Sequence, residues 1–381
     1  MNIAIVHERL TEIAGSENVV AELSRQWPDA PIHIPIVDPR VSASFGAQVR
    51  TGPLSTAYRK AGYRSYAPLL PLAPAWFRRR DFGAADAVII SHHFSAAAAV
   101  HAAGPPPTVV YVHSPARWAW DKAMRAEEAS SLPGQLALAA LSRLAIRTEL
   151  AAAPKITTVV ANSTAVAQRI RNHWNREAQV VHPPVNVAFY TPDPAETRED
   201  YFLLPGRLVY YKRPDIAIRA AVAAGVKLVV AGDGRDAAKC RKLAQDGDVT
   251  FLGRVSDDEF RRLYRRARAM VMPGEEDFGI TPVEAMACGT PVIALGVGGA
   301  LDSVVEGVTG RFVTPDDAGT DDAGTDNAEV IAGFADAFAT FDTAAYDPNR
   351  IRRHAEQFSP QTFRAAMAGV VAQTLATRRD G

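Results

Sequence analysis

Short apolar runs alternate with helical stretches along this chain, and the alternation occurs twice. NIAIV, AVIIS, TVVYV, ITTVVAN and AQVVH recur from residue 1 to about residue 185. After the turn-rich, polar HPPVNVAFYTPDPAETRED the series restarts with YFLLPG, KLVVAGDG, VTFLG, AMVMP, PVIAL and GRFVTP. Runs this apolar suit strands buried on both faces, the condition of a parallel sheet covered by helices. The pattern predicts an α/β chain with two doubly wound parallel sheets. At 381 residues, two domains of ordinary size are also what core growth allows. We place them at 1–190 and 191–357. A further segment, 358–381, carries Phe363, Met367, Val370 and Val371 at helical spacing.

Charge narrows the partners. Lys+Arg and Asp+Glu are both 42, so bulk electrostatics offers nucleic acid no attraction and none is expected as a partner. Only Cys240 and Cys288 are present, too few for a disulfide framework, which suits a reducing compartment. In MNIAIVHERL the apolar stretch meets His7, Glu8 and Arg9 too soon for a leader and reads as a first strand. SAAAAVHAAG is short and carries His101, so it does not span a bilayer. The expectation is a cytoplasmic protein, soluble or held at the inner face of the plasma membrane. Residues 57–82 mix six Arg or Lys residues with aromatics, which reads either as a dock for an anionic membrane or as an acceptor-side loop with solvated charges. The tandem DDAGT at 316–325 reads as a solvated loop, since a calcium loop would need an ordered turn and a bidentate closing Glu.

Chemistry concentrates between Pro273 and Gly299, PGEEDFGITPVEAMACGTPVIALGVGG. Glu276 and Glu284 are separated by seven intervening residues, the first in a loop and the second just inside a helix that Thr281-Pro282 would open and Gly289 close. Apolar runs on either side place the acidic loop at the carboxyl edge of a sheet, where open α/β sheets bind ligands. The plain alternative is a capping box, Thr281-Pro-Val-Glu284, in which Glu284 only satisfies a backbone amide. Arg207 follows a strand and Gly206. Lys212 and Arg213 stand ahead of a helix starting near Pro214, a poor place for cations unless an anion joins them. The GVGG loop, 296–299, offers backbone amides to such an anion. Neither a GxSxG elbow nor zinc-ligand spacing is present.

The run EDFGITPVE followed by AMACGTPVIA resembles the signature of retaining glycosyltransferases of family 4. Two further blocks extend the likeness. IAGSENVV is similar to the family's GGxE loop, with Ala14 in place of the first glycine and Gly15 kept, and YVHSPARWAWD resembles a block of bacterial polysaccharide mannosyltransferases. The resemblance implies the GT-B fold: two facing Rossmann-like domains with a cleft between them and a C-terminal helix crossing back to the first domain. It implies that Arg207 and Lys212 grip the donor phosphates, that Glu276 orients the donor sugar, and that Glu284 holds ribose hydroxyls. His113 would contact the sugar from the first domain. Gly15, Gly232, Arg254, Val255 and the run Asp277, Phe278, Gly279 and Ile280 would complete the donor site. It also implies a nucleoside diphosphate sugar as substrate, foremost GDP-mannose with UDP-hexoses open, and a glycan or lipid-linked acceptor, with no metal and no cofactor. A GT-B sugar-nucleotide epimerase and a non-catalytic sugar-nucleotide sensor are the alternative readings. For the sequence alone, Trp118 and Trp120 read as loop packing and Ser163-Thr164 as a helix cap.

Overall fold

The computed structural model describes residues 1–102, 104, 106–128, 131–314 and 327–379, and the DDAGT repeat lies outside them. Its strands form two separate all-parallel sheets. The chain divides into Met1–Pro184 with Pro360–Gly381, and Val185–Ser359.

The first unit holds β1 (Ile3–His7), β2 (Ile32–His33), β3 (Val49–Arg50), β4 (Ala87–His92), β5 (Thr108–Val112), β6 (Thr158–Ala161) and β7 (Gln179–Val180), in the order β3-β2-β1-β4-β5-β6-β7. The sequence reading lacked β2 and β3: each is two residues long, and Pro31 and Pro35 bracket the first, so no periodic signal survives. Register decides the faces, because alternate residues of a strand share one side. Ile5 pairs with Ile89 and His7 with Ser91, while Ile89 pairs with Val109 and Ser91 with Tyr111. On that side the sheet packs against Val19, Val20 and Leu23 of helix Gly15–Gln26, and against Phe363, Met367 and Val371 of helix Pro360–Arg379. The C-terminal helix is therefore part of the first unit, as the resemblance implies. Phe363 meets the Tyr111 ring edge-on at 5.7 Å, Thr374 Oγ1 lies 2.7 Å from Thr158 Oγ1, and Arg364 pairs with Glu22.

On the opposite side Val6, Val88, Ile90, Val110 and Val112 meet Trp76, Phe77, Ile170 and the alanines at 96–99. This core takes in Trp76, Phe77 and Phe82 of segment 57–82, and Tyr58 is also buried, while Arg59, Lys60, Arg64, Arg78, Arg79 and Leu72 stay exposed. Among the described residues no helix is long and apolar enough to cross a membrane.

The second unit holds β8 (Phe202–Pro205), β9 (Leu228–Ala231), β10 (Val249–Gly253), β11 (Ala269–Met272), β12 (Val292–Leu295) and β13 (Gly310–Val313), in the order β10-β9-β8-β11-β12-β13. Each is one of the six apolar runs of the second series. Leu203, Met270 and Val292 face Tyr264, Val283 and Met286. Phe202, Leu204, Val271 and Ile293 face the helices Pro214–Ala224 and Asn327–Thr340 through Ile216, Ala220, Phe334 and Phe338.

Candidate functional site

In a doubly wound sheet the crevice for ligands opens where the strand order reverses, because the loops leaving the two central strands there turn to opposite sides. In the second unit that point lies between β8 and β11. The loop after β8 carries Arg207 and Lys212, and the loop after β11 carries Glu276, so the reversal brings together residues more than sixty positions apart. Lys212 Nζ pairs with the Glu276 carboxylate, and Arg207 Nη2 donates to Tyr211 Oη at 3.2 Å. Arg207, Lys212, Gly274, Glu276 and Thr281 line one recess. Burial by itself favours loss of the Lys212 proton, but the adjacent Glu276 charge outweighs it and the ammonium's pKa ends above its ordinary value.

Close backbone packing holds these loops in place. Gly232, at φ +146°, has room for no side chain, since a Cβ there would stand 1.8 Å from the Gly206 carbonyl oxygen. Its N–H donates to Gly253 O at 2.7 Å, which draws the exposed Arg254 and the half-buried Val255 beside the turn. A Cβ at Gly274 would lie 2.5 Å from Tyr211 O, and one at Gly299 would lie 2.2 Å from Phe278 Cα. The GVGG loop thus serves differently from the sequence expectation. The amides of Gly296, Val297 and Gly299 donate to Val313, Leu295 and Glu276 carbonyls at 2.9, 2.8 and 2.8 Å, so the loop backs the acidic segment and spends three of its four amides inside the protein.

At Glu284 the start of the helix decides against a cap. Helix Ile280–Ala287 begins one residue before Thr281, with Gly279 at φ +85° as its N-cap and no side-chain cap, so the capping box does not form. The Glu284 carboxylate instead accepts from Tyr264 Oη at 3.1 Å. Burial pushes its pKa up to about 7; Tyr264 opposes the shift, Asp257 adds to it and Lys212 opposes it. Phe260, Leu263, Tyr264 and Ala267 recur at helical spacing, and Tyr264 belongs to the apolar stripe they make. It lies on helix Asp257–Arg266 with its ring fully buried, and its hydroxyl is the one polar handle in that stripe, the signal by which it was recognisable. Asp277, Phe278, Gly279 and Ile280 link the two glutamates, and Phe278 is buried against Phe358 with ring centroids 5.4 Å apart. A larger cavity of about 230 Å³ lies toward the amino ends of β8 and β9, lined by Tyr201, Lys227, Thr250 and Arg262. Arg262 pairs with Glu259 there and Arg266 with Glu196.

His113 and Gly15 belong to the first unit. His113 follows β5; its N–H donates to His92 O at 3.0 Å and its carbonyl accepts from Asn162 Nδ2 at 2.8 Å. Its ring stacks on His93 with centroids 4.3 Å apart, and burial, with His7 adding repulsion, lowers its pKa to about 3, so the imidazole is neutral. Gly15 opens helix Gly15–Gln26, whose N-cap Ala14 sits at φ −138°, extended backbone open to any residue. Alanine in place of the first glycine therefore carries no backbone strain. Glu17, the third helical residue, reaches back to accept from Ala14 N at 3.1 Å.

The sheet's other side carries a second polar cluster. Glu8 is buried and accepts from the amides of Phe94, Ser95 and Ala96 at 2.9, 2.6 and 2.6 Å. His92 lies between Glu8 and Glu149, at 3.5 and 3.3 Å. Glu149 also accepts from Trp120 Nε1 at 2.6 Å and Trp174 Nε1 at 3.1 Å, so Trp120 is a packing and anchoring residue, as expected. Trp118 packs on Phe94, with ring centroids 5.5 Å apart, and Ser163 caps helix Thr164–Trp174 by accepting from Val166 N at 3.1 Å. Among the described residues no group of His, Cys, Asp and Glu is arranged to hold a metal ion.

Two Rossmann-like parallel-sheet units are the parts of the GT-B class. Solved structures share that fold over nearly the whole chain: Anabaena Alr3699/HepE in complex with UDP has a TM-score of 0.70 at 19% identity, covering 98% of this chain and 100% of that one. Sucrose-phosphate synthase from Thermosynechococcus elongatus has 0.71 at 18%, covering 99% and 100%. Residues 13–189 match the family described as Glycosyltransferase Family 4 and residues 191–321 that described as Glycosyl transferases group 1; the chain belongs to glycosyltransferase family 4. It is also similar to the D-inositol 3-phosphate glycosyltransferase of Mycolicibacterium smegmatis (strain ATCC 700084 / mc(2)155), 34% identical over 184 residues, covering 42% of each chain. The corresponding protein of Mycobacterium sp. (strain JLS) is 39% identical over 160 residues, covering 37% of this chain and 36% of that one. The chain spans about two fifths of the length of these curated relatives.

Proposed function

We propose that this protein is a metal-independent, retaining glycosyltransferase that moves a hexose from a nucleoside diphosphate sugar to a hydroxyl of a glycan or lipid-linked acceptor. The observation that carries this reading is the Lys212–Glu276 pair, with Arg207 beside it, at the strand-order reversal of the second sheet. A diphosphate leaving group gains negative charge as the glycosidic bond loosens, and catalysis needs cations already in place to receive it. Lys212 and Arg207 supply them. When the diphosphate engages Lys212, Glu276 is released from its ion pair to orient the sugar and to stabilise positive charge at the anomeric carbon. Glu284, with Tyr264 fixing its carboxyl, takes ribose hydroxyls, and His113 contributes from the first unit. A phosphate oxygen of the donor receives the acceptor proton on the same face, which preserves anomeric configuration.

GDP-mannose is the leading donor on the YVHSPARWAWD block. A UDP-hexose is the second reading, favoured by the UDP held in the Anabaena structure of like fold. A thermal-shift panel of GDP-mannose, UDP-glucose, UDP-galactose and UDP-GlcNAc separates them, because selective binding raises stability by mass action. Transfer or slow hydrolysis of the labelled donor is then measured with EDTA present. We expect Lys212→Ala and Glu276→Ala each to lose about a hundredfold or more in turnover. Wild-type turnover in both variants removes the assigned site, conversion of UDP-GlcNAc without acceptor marks an epimerase, and tight binding without turnover marks a sensor.

A further inference from the structure

The strand-order reversal of the first sheet, between β1 and β4, carries a polar chain to which no role has yet been given. His7 and Ser91 are register partners at the carboxyl ends of these strands, and Ser91 is the partner of Tyr111 in β5. His113 lies two residues beyond Tyr111, so alternation sets all three polar side chains on one face, the face that helix Gly15–Gln26 covers with Glu17 in its first turn. Two hydrogen bonds and one longer charge contact make up the chain. Glu17 Oε1 stands 3.5 Å from His7 Nε2, His7 Nδ1 stands 3.0 Å from Ser91 Oγ, and Ser91 Oγ stands 2.8 Å from His113 Nε2. Glu17 Oε2 is occupied by Ser16 Oγ at 2.8 Å and Ala14 N at 3.1 Å, which leaves Oε1 for His7. His7, Ser91 and Glu17 are buried. His7 Nε2 has no hydrogen-bond partner within 3.5 Å that satisfies it, so the carboxylate facing it is what determines which nitrogen keeps the proton.

We infer that Glu17, His7 and Ser91 form a positioning relay that fixes His113 as its Nε2–H tautomer and leaves Nδ1 as a hydrogen-bond acceptor for a substrate hydroxyl. This inference rests on the proposed reading of His113 as a sugar contact. The direction of each bond follows from donor and acceptor inventories. A neutral His7 keeps its proton on Nε2, toward the Glu17 carboxylate, so Nδ1 accepts the Ser91 hydroxyl proton. Ser91 Oγ, its proton committed, accepts from His113 Nε2–H. The last nitrogen, His113 Nδ1, then carries a lone pair and, among the described residues, has no hydrogen-bond partner. A doubly protonated His7 keeps its bond to Glu17, reverses the two bonds at Ser91 and turns His113 Nδ1 into a donor. The His93 ring stacked at 4.3 Å and the Tyr111 edge at 5.2 Å keep the His113 imidazole from rotating out of this arrangement. A lone pair at a fixed place selects a ligand that presents a hydroxyl there, the common currency of hexoses.

The test reads the tautomer directly. Nitrogen NMR of protein labelled with ¹⁵N-histidine is recorded at pH 8, above the ordinary imidazole range, with His113→Asn used only to assign the resonance. We expect a protonated Nε2 and a bare Nδ1 in the wild type, a mixture of both tautomers in Ser91→Ala, and the wild-type pattern again in Ser91→Thr. With the donor identified by the thermal-shift panel, Ser91→Ala should lose roughly tenfold in kcat/KM, the worth of one hydrogen bond, and Ser91→Thr should recover it. A wild-type His113 protonated on Nδ1, or a Ser91→Ala protein that keeps a single Nε2–H tautomer, overturns the inference. The two readings fail separately: a tautomer pattern as expected, in a protein that transfers sugar from no donor, sinks the glycosyltransferase reading and leaves the relay standing.

Discussion

Glu284 offers the sharpest test of the second unit's site, because its environment and its assigned task pull in opposite directions. Burial lifts the carboxyl from an ordinary 4.5 to about 7. A group whose pKa is raised by folding contributes stability that is complete below its unfolded value and is lost as pH climbs through the folded one. Between pH 4.5 and 7, ionising Glu284 therefore removes about 3 kcal/mol from the folded state, at roughly 1.4 kcal/mol per unit. Ribose hydroxyls donate to carboxylates, so a donor that binds here favours the ionised form and expels the proton. Near pH 6.5, titration calorimetry in buffers of different ionisation enthalpy should show proton release on donor binding. Affinity should tighten as pH rises toward 8. Glu284→Gln keeps the acceptor for Tyr264 but does not titrate, so it should release no proton. It should also gain up to about 3 kcal/mol over the wild type at pH 8 in urea unfolding, and much less at pH 4.5. Wild-type binding with no proton exchange, or a variant with the same pH dependence as the wild type, would refute the reasoning.

Gly299→Ala has ordinary backbone angles, yet its methyl would stand 2.2 Å from Phe278 Cα. It should cost roughly 3 kcal/mol in denaturant unfolding and weaken donor binding by shifting the loop that carries Glu276. His92 sits between Glu149 and Glu8; burial works against its charge, but the two carboxylates prevail and raise its pKa to about 9. Its contribution, on the order of 3 kcal/mol, is complete below pH 6.5 and lost as pH rises through about 9, so the thermal midpoint should fall across that window in the wild type and stay flat in His92→Gln. Exposed Arg59, Lys60, Arg64, Arg78 and Arg79, with the exposed Leu72, should carry the protein onto vesicles containing phosphatidylserine, and charge reversal at Arg78 and Arg79 should release it in a sedimentation assay. Equal recovery of both proteins with the vesicles would remove that proposal.

Strand-like runs of four or more residues announced themselves, and every strand of the second sheet was legible in them. The two-residue strands β2 and β3 were not, because pairing to the neighbouring strand rather than local pattern makes them strands. Lys212 and Glu276 were legible as candidates from their places beside strand ends, but their ion pair depends on β8 and β11 lying adjacent, a fact of topology. Glu284 could not be told from a cap until Gly279, two residues ahead of Thr281, was seen to cap the helix. Tyr264, His7 and Ser91 were missed for a common reason: each occupies a position that the apolar pattern assigns to the core, and only the partner across the fold shows that its polar atom is in use.

Both sheets place their chemistry at the same topological point, and the contents of the two points differ in a way that fits the proposed reaction. In the second unit the group at the reversal is a lysine already matched to a carboxylate. An incoming diphosphate there exchanges one counter-ion for another and leaves no uncompensated buried cation, which limits the desolvation cost that would otherwise oppose binding. In the first unit the side chains are neutral imidazole and hydroxyl, ordered by a distant carboxylate. Such groups bind hydroxyls with direction rather than through charge. Each reversal therefore carries its own chemistry, a matched cation in the second unit and a hydroxyl-ordering imidazole in the first.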